Sequence, residues 1–215
     1  MDIQILDRCR GRVYDFVHRV DTYRNMSIDN LKVVGNNKQF GMAYRVTLPK
    51  SMRTVLKQLK GFDPATTFVD IGCGKGCTLL VASRFPFRKI VGVEFADELC
   101  QIAQNNVRDY IGPRACKNIS VLRMDAAEFC FPDGPLMVYF FNPFHLSVME
   151  RVLSNLSQSL AARPRPVTLV SHASYHREAI MQILHPSKIE QVSGFSVYSS
   201  YAWSNRNSSD FLIAG

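Results

Sequence analysis

An α/β fold, with a mostly parallel sheet covered by helices on both faces, is predicted by three features of the 215-residue sequence. Short apolar runs alternate with helix-patterned runs between residues 66 and 185. The apolar runs are continuous and rich in β-branched or aromatic residues, as strands covered on both faces must be. A glycine loop, "DIGCGKG" (70–76), ends the first such run and opens the first helix pattern after it.

The elements follow in order. "IQILDRCRGRVYDFVHRV" (3–20) places Ile3, Ile5, Leu6, Cys9, Val13, Phe16, Val17 and Val20 at helical spacing. That predicts an amphipathic helix with a basic outer face, its apolar side buried on the main domain. A loop with the turn chemistry "VGNNKQFG" separates it from "LPKSMRTVLKQLKG", a second helix with Pro49 in its first turn and Gly61 just past its end. Strands are expected at 66–71, 89–94, 119–123, 136–141 and 167–172, and helices at 77–85, 96–110, 146–161 and 174–185. Strand–helix alternation of this kind implies right-handed crossovers between parallel strands. In the tail, "KIEQVSGFSVYSSYAW", the polar turn "SNRNSSD" and "FLIAG" read as two strands joined directly, an antiparallel hairpin at one edge of a seven-stranded sheet. The chain divides into an N-terminal helical cap, residues 1–60, and a main domain, residues 61–215.

Composition narrows the function classes. A hydrophobic fraction of 47% and a charged fraction of 20% are ordinary for a globular protein. No secretory apolar block opens the chain, and no apolar run approaches the roughly 18–20 residues a membrane span needs. The six cysteines show no CxxC spacing of a zinc site, so no metal is expected, and reduced thiols and a cytoplasmic location are. Residues 1–60 hold 12 Lys/Arg against 5 Asp/Glu, which is +7 of the net +8. That excess is either a solvated surface or one that steers an acidic or phosphate-bearing substrate, and nucleic acid is weakly indicated because the charges are dispersed.

Spacing sorts the ligands of the glycine loop. A phosphate-cradling loop needs a glycine five positions before the Gly-Lys-Ser/Thr, whereas Lys75 is followed by Gly76. A dinucleotide fingerprint places its third glycine where this chain has Cys77. What remains is acid-x-G-x-G-x-G, led by Asp70, and a carboxylate there suits a ligand carrying an ammonium or a sulfonium.

This pattern resembles motif I of the class I S-adenosylmethionine-dependent methyltransferases, and the resemblance runs over residues 64–172. It implies a Rossmann-like sheet with S-adenosyl-L-methionine at the carboxyl ends of its strands. Gly72, Cys73, Gly74 and Gly76 would pass close to the cofactor, with Asp70 toward its methionyl ammonium. Glu94, 24 positions after Asp70, would accept from the ribose hydroxyls. Phe95 would cover an adenine face, and Asp125 and Ala126 would reach the adenine amino group. Tyr44, in "AYRVTLP", loosely matches an element that crosses the methionyl end in such proteins. Asn142, Pro143 and Phe144 stand where the family keeps residues facing the reacting methyl, and they are the candidate catalytic group. "FNPF" is similar to the Asn-Pro-Pro-Tyr/Phe motif of amino-group methyltransferases but lacks its second proline. "VGVEFAD" is weakly similar to non-SET histone-lysine methyltransferases. The acceptor, a small molecule or a protein side chain, stays open, as does a non-catalytic module binding S-adenosylmethionine or S-adenosylhomocysteine. His145 and His172, at strand ends, are the histidines nearest the expected acceptor side.

Overall fold

The computed structural model describes residues 3–24, 26, 31–34, 46, 49–59, 63–141, 144–172 and 176–199, with side chains from residue 11 onward. Seven strands form one sheet: β1 (Thr67–Ile71), β2 (Lys89–Glu94), β3 (Ile119–Arg123), β4 (Leu136–Phe140), β5 (Val167–His172), β6 (Lys188–Val192) and β7 (Phe195–Ser199). Their order is β3-β2-β1-β4-β5-β7-β6. The first five strands pair in parallel and β7 runs antiparallel to both β5 and β6. The chain steps outward from β1 through β2 to β3 on one side and resumes at β4 on the other. Loops leaving β1 and β4 therefore diverge and open a crevice at the carboxyl end of β1.

Alternation along the strands divides the core. Val69, Ile71, Val91, Val93, Val138, Phe140 and Leu169 face one layer, with α5 (Leu146–Ala162) and α6 (Arg177–Leu184). Phe68, Ile90, Met137, Tyr139, Val170 and Phe195 face the other, with α2 (Pro49–Gln58) and α3 (Cys77–Ala82). Helix α4 (Asp97–Asp109) follows β2 and leads to β3. In α2 the spacing of Met52, Val55 and Leu56 puts three side chains on one stripe, and all are buried against the sheet.

The edge hairpin differs from its expected form. Its turn is Ser193–Gly194, both residues with positive φ (50° and 83°), inside the run read as one strand. Two residues of that handedness match the right-handed twist of the flanking strands, which favours the tight reversal over a longer loop. The "SNRNSSD" turn and "FLIAG" lie outside the described residues.

Helix α1 (Ile3–His18) also departs from expectation. Val13, Phe16 and Val17 are 61%, 87% and 53% exposed. The helix turns Gly11, Tyr14 and His18 inward instead: a Cβ at Gly11 would strike the Tyr23 ring, and the His18 ring packs edge-on to Tyr14 (4.4 Å) and tilted against Tyr110 (5.2 Å). Polar anchoring sets this rotation. The Asp15 carboxylate accepts from the Thr22 and Tyr23 amides at 2.9 and 2.8 Å, which fixes the face from which the chain leaves the helix. Among the described residues no helix is long and apolar enough to cross a membrane.

Because α2 contributes three side chains to the sheet's own core, Leu56→Ala should cost about 2–5 kcal/mol of stability, read from urea unfolding. A loss below about 0.5 kcal/mol would mean that α2 is only laid on the surface.

Candidate functional site

The crevice is built by the loop between β1 and α3. Gly72, Gly74 and Gly76 all adopt positive φ (78°, 53° and 79°), a conformation that side chains with a Cβ avoid. The Gly72 and Cys73 amides donate to the Val93 carbonyl at 2.9 and 3.0 Å, so the loop lies against the end of β2. Close packing below it requires Gly92, where a Cβ would stand 2.7 Å from both Cys73 Sγ and Leu79 Cδ1.

Glu94 is buried, and its two oxygens accept from the Gly74 amide (2.8 Å) and the Ala96 amide (2.9 Å). It thus holds the loop as well as ending the strand. Burial raises its carboxyl pKa, and the backbone N–H donors work against that rise. Asp70 is also buried, on the same sheet face as Phe68. Burial pushes its carboxyl well above the usual carboxylate range, the Glu94 charge adds to this, and a hydrogen bond with Thr78 opposes it. Two acids under one loop resist ionising together. A cation or several hydroxyl donors in the crevice would relieve that repulsion.

The apolar rim comes from the neighbouring strands. Phe95, after β2, meets Phe144, after β4, edge to face at 6.4 Å. Since β2 and β4 flank β1, this contact spans the carboxyl end of β1. Residues of the N-terminal segment lie beside it. Val33 bridges Ala96 antiparallel, the Val34 amide donates to the Phe95 carbonyl at 2.9 Å, and Leu31 packs with Ala96 and Leu99.

Residues 68–163 match a family model described as a methyltransferase domain. The matched stretch runs from β1 to the end of α5. Among solved structures, the domain is similar to a SAM-dependent methyltransferase from Aquifex aeolicus, at 19% identity over 69% of this chain and 88% of that one, TM-score 0.52. A proposed RNA methyltransferase from Pyrococcus horikoshii matches at 15% identity over 80% and 90%, TM-score 0.53. A predicted N6-adenine-specific DNA methylase from Listeria monocytogenes matches at 14% identity over 73% of this chain, TM-score 0.54. This chain spans 51% of that last protein's length. At these identities the likeness is one of fold. Among curated proteins, none matches the chain.

Within the matched stretch, Asp70, Gly72, Cys73, Gly74, Gly76, Glu94 and Phe95 come together around the crevice. Asp125 stands at the end of β3, where its carboxylate accepts from the Ala127 amide (2.9 Å) and caps the short helix starting at Ala126. Asn142, Pro143 and Tyr44 lie outside the described residues; Phe144 is described and buried. His145 caps α5 by accepting from the Ser147 amide, and His172 packs between Phe141 (4.5 Å) and Phe195 (4.9 Å), where burial lowers its pKa. Sequence reasoning missed Thr78, the partner of Asp70, and Lys75, Asp21 and Asn106, which meet behind the loop. Asp21 and Asn106 are separated by 85 positions and carry no local motif, so only Lys75, inside the glycine loop, offered any signal.

Two outcomes follow from the buried acids. Glu94→Ala leaves two buried amides without acceptors, so the ligand-free protein should lose about 1–3 kcal/mol, measured by chemical unfolding. An unchanged midpoint would contradict the geometry. Asp70, whose folded pKa is raised, binds more protons folded than unfolded, so its contribution to stability is present at low pH and lost as pH rises through the folded pKa. Wild type should therefore gain stability relative to Asp70→Asn as pH falls through that value, levelling off below the ordinary carboxylate range. A difference independent of pH would show that Asp70 is not held protonated.

Proposed function

We propose that this protein transfers a methyl group from S-adenosylmethionine to an acceptor bound above the carboxyl end of β4. The observation that carries the reading is the pair of buried carboxylates, Asp70 and Glu94, beneath a loop of three left-handed glycines at the sheet's switch point. In this reading Asp70 pairs with the methionyl ammonium and Glu94 accepts from the ribose while keeping its amide donors. A carboxylate has about four acceptor sites, and two of those on Glu94 are taken by backbone. The rim of Phe95 covers one adenine face, and Asp125 with Ala126 meets the adenine edge. Gly72, Cys73, Gly74 and Gly76 line the cofactor's path, with Tyr44 at its methionyl end.

S-adenosylmethionine supplies a methyl group activated by its sulfonium. The protein's task is to align the acceptor along the S–CH3 axis and to exclude water. Asn142, Pro143 and Phe144 are the residues we assign to that task. The N-terminal residues 1–60 act as a cap, with α2 anchored in the core, and their basic surface favours an acceptor that is acidic or bears phosphate. The buried thiols of Cys73, Cys77, Cys100 and Cys116 suit a cytoplasmic setting.

Titration calorimetry tests the reading. S-adenosylmethionine and S-adenosylhomocysteine should bind in the micromolar range, about −8 kcal/mol, and NAD far more weakly. Comparable NAD binding with none of S-adenosylmethionine would overturn it. Labelled-methyl transfer to peptides, nucleic acids and metabolite extracts should then reveal the acceptor, and Asn142→Ala should lower turnover while leaving cofactor affinity nearly intact.

A further inference from the structure

The glycine loop is held from behind as well as from β2. Lys75 is the one charged residue of its 72–76 turn, and its side chain has no solvent-accessible surface. Its Nζ lies 3.0 Å from both carboxylate oxygens of Asp21, which is 47% exposed. A buried ammonium is tolerated only when paired, and Asp21 supplies an opposite charge at contact distance.

The amide of Asn106, on α4, completes the junction. Its Nδ2 donates to the Lys75 carbonyl and to the Asp21 carbonyl, both at 2.9 Å, and its Oδ1 accepts from the Asp21 amide at 2.8 Å. One side chain therefore joins the loop, the N-terminal segment and α4 through backbone groups alone. Asp15 folds the chain after α1 into place through the Thr22 and Tyr23 amides, and its carboxylate also accepts from the Thr22 hydroxyl at 2.6 Å. Thr22 is fully buried and hydrogen-bonded with the thiol of Cys77, the residue after the loop.

Consecutive loop residues are thus tied to opposite sides. The Gly74 amide is bound to Glu94 at the crevice, and the Lys75 carbonyl and ammonium are bound to Asn106 and Asp21 behind it. Only the peptide between residues 74 and 75 separates the bound Gly74 amide from the bound Lys75 carbonyl, so the two attachments constrain one short stretch of backbone.

We propose that Lys75 and Asp21 form a clamp through which the N-terminal segment positions the glycine loop for its cofactor. Lys75 and Asp21 are positioning residues, since a side chain with no exposed surface does not line the crevice. The inference rests on the reading that the loop holds S-adenosylmethionine, and it makes the segment after α1 part of that site. Occupying the crevice should rigidify residues 15–24, which contribute none of the contacts assigned to the cofactor.

Amide hydrogen exchange and calorimetry on the full chain decide it. In ligand-free Asp21→Asn, exchange should quicken together at residues 72–76 and 15–24, with β4 and β5 unchanged. S-adenosylhomocysteine affinity should fall about tenfold or more in Asp21→Asn and in Lys75→Met, and no further in the double variant, the mark of two residues acting as one unit. Asp21→Glu, which keeps the charge, should recover most of the affinity. In wild type, S-adenosylhomocysteine should slow exchange at 15–24. Additive losses, unchanged affinity in both single variants, or exchange that quickens at 15–24 while the loop stays protected would each overturn the clamp. Should wild type fail to bind S-adenosylhomocysteine, the cofactor reading falls, and the ligand-free exchange still decides the clamp. If Asp21→Asn does not fold, the wild-type exchange with and without ligand decides it, and no change at 15–24 overturns it.

Discussion

The hydrogen bond from the Gly74 amide to the Glu94 carboxylate is the contact on which the crevice depends. It joins the turn after β1 to the end of β2 and fixes how the chain reverses from strand to helix. A carboxylate in that position must be buried, and burial is costly unless backbone donors meet it. Gly74 and Ala96 supply them, at the expense of leaving a second acid, Asp70, in a poor environment for ionisation. The loop is therefore stable without a ligand yet electrostatically suited to one that brings positive charge or hydroxyl donors.

The same economy of groups explains why the N-terminal segment belongs with the domain. Its charge excess suggests a detachable, solvated appendage, but its contacts are specific. Leu31 and Val33 run alongside the chain after β2, α2 fills the core beneath β1 and β5, and Asp21 pairs with the buried ammonium of Lys75. Removing any one of these leaves an unmet polar group or a cavity, and such losses exceed the small gain from a surface ion pair. The exposed Val13, Phe16 and Val17 show the converse: the polar anchor at Asp15 and the ring contacts of His18 chose the rotation of α1 over its apolar stripe.

Much of the sheet was legible because buried parallel strands leave a local record. A strand covered on both faces must be apolar throughout, so β2 and β5 begin and end where the sequence places them, and β1 and β4 within one residue; β3, the half-exposed edge strand, also falls where its β-branched run lies. The glycine loop was legible for a similar reason, since its three glycines answer to backbone angles set within five residues. The edge hairpin was misplaced because Ser193 conceals its turn: a serine with positive φ is uncommon, and the longer polar run downstream is the stronger sequence signal.

By itself the sequence determined the class of sheet, the loop that turns into the crevice and the acids at the ends of β1 and β2. Each of these follows from short-range requirements of burial, backbone handedness or spacing. Tertiary structure alone decided that Glu94 holds the loop, that Asp70 lies beside it in a medium hostile to its charge, and that Asp21 and Asn106 lock Lys75 from behind. Those pairings join residues 20 to 85 positions apart, and their energies depend on which groups are dehydrated together, a property that no local pattern of residues encodes.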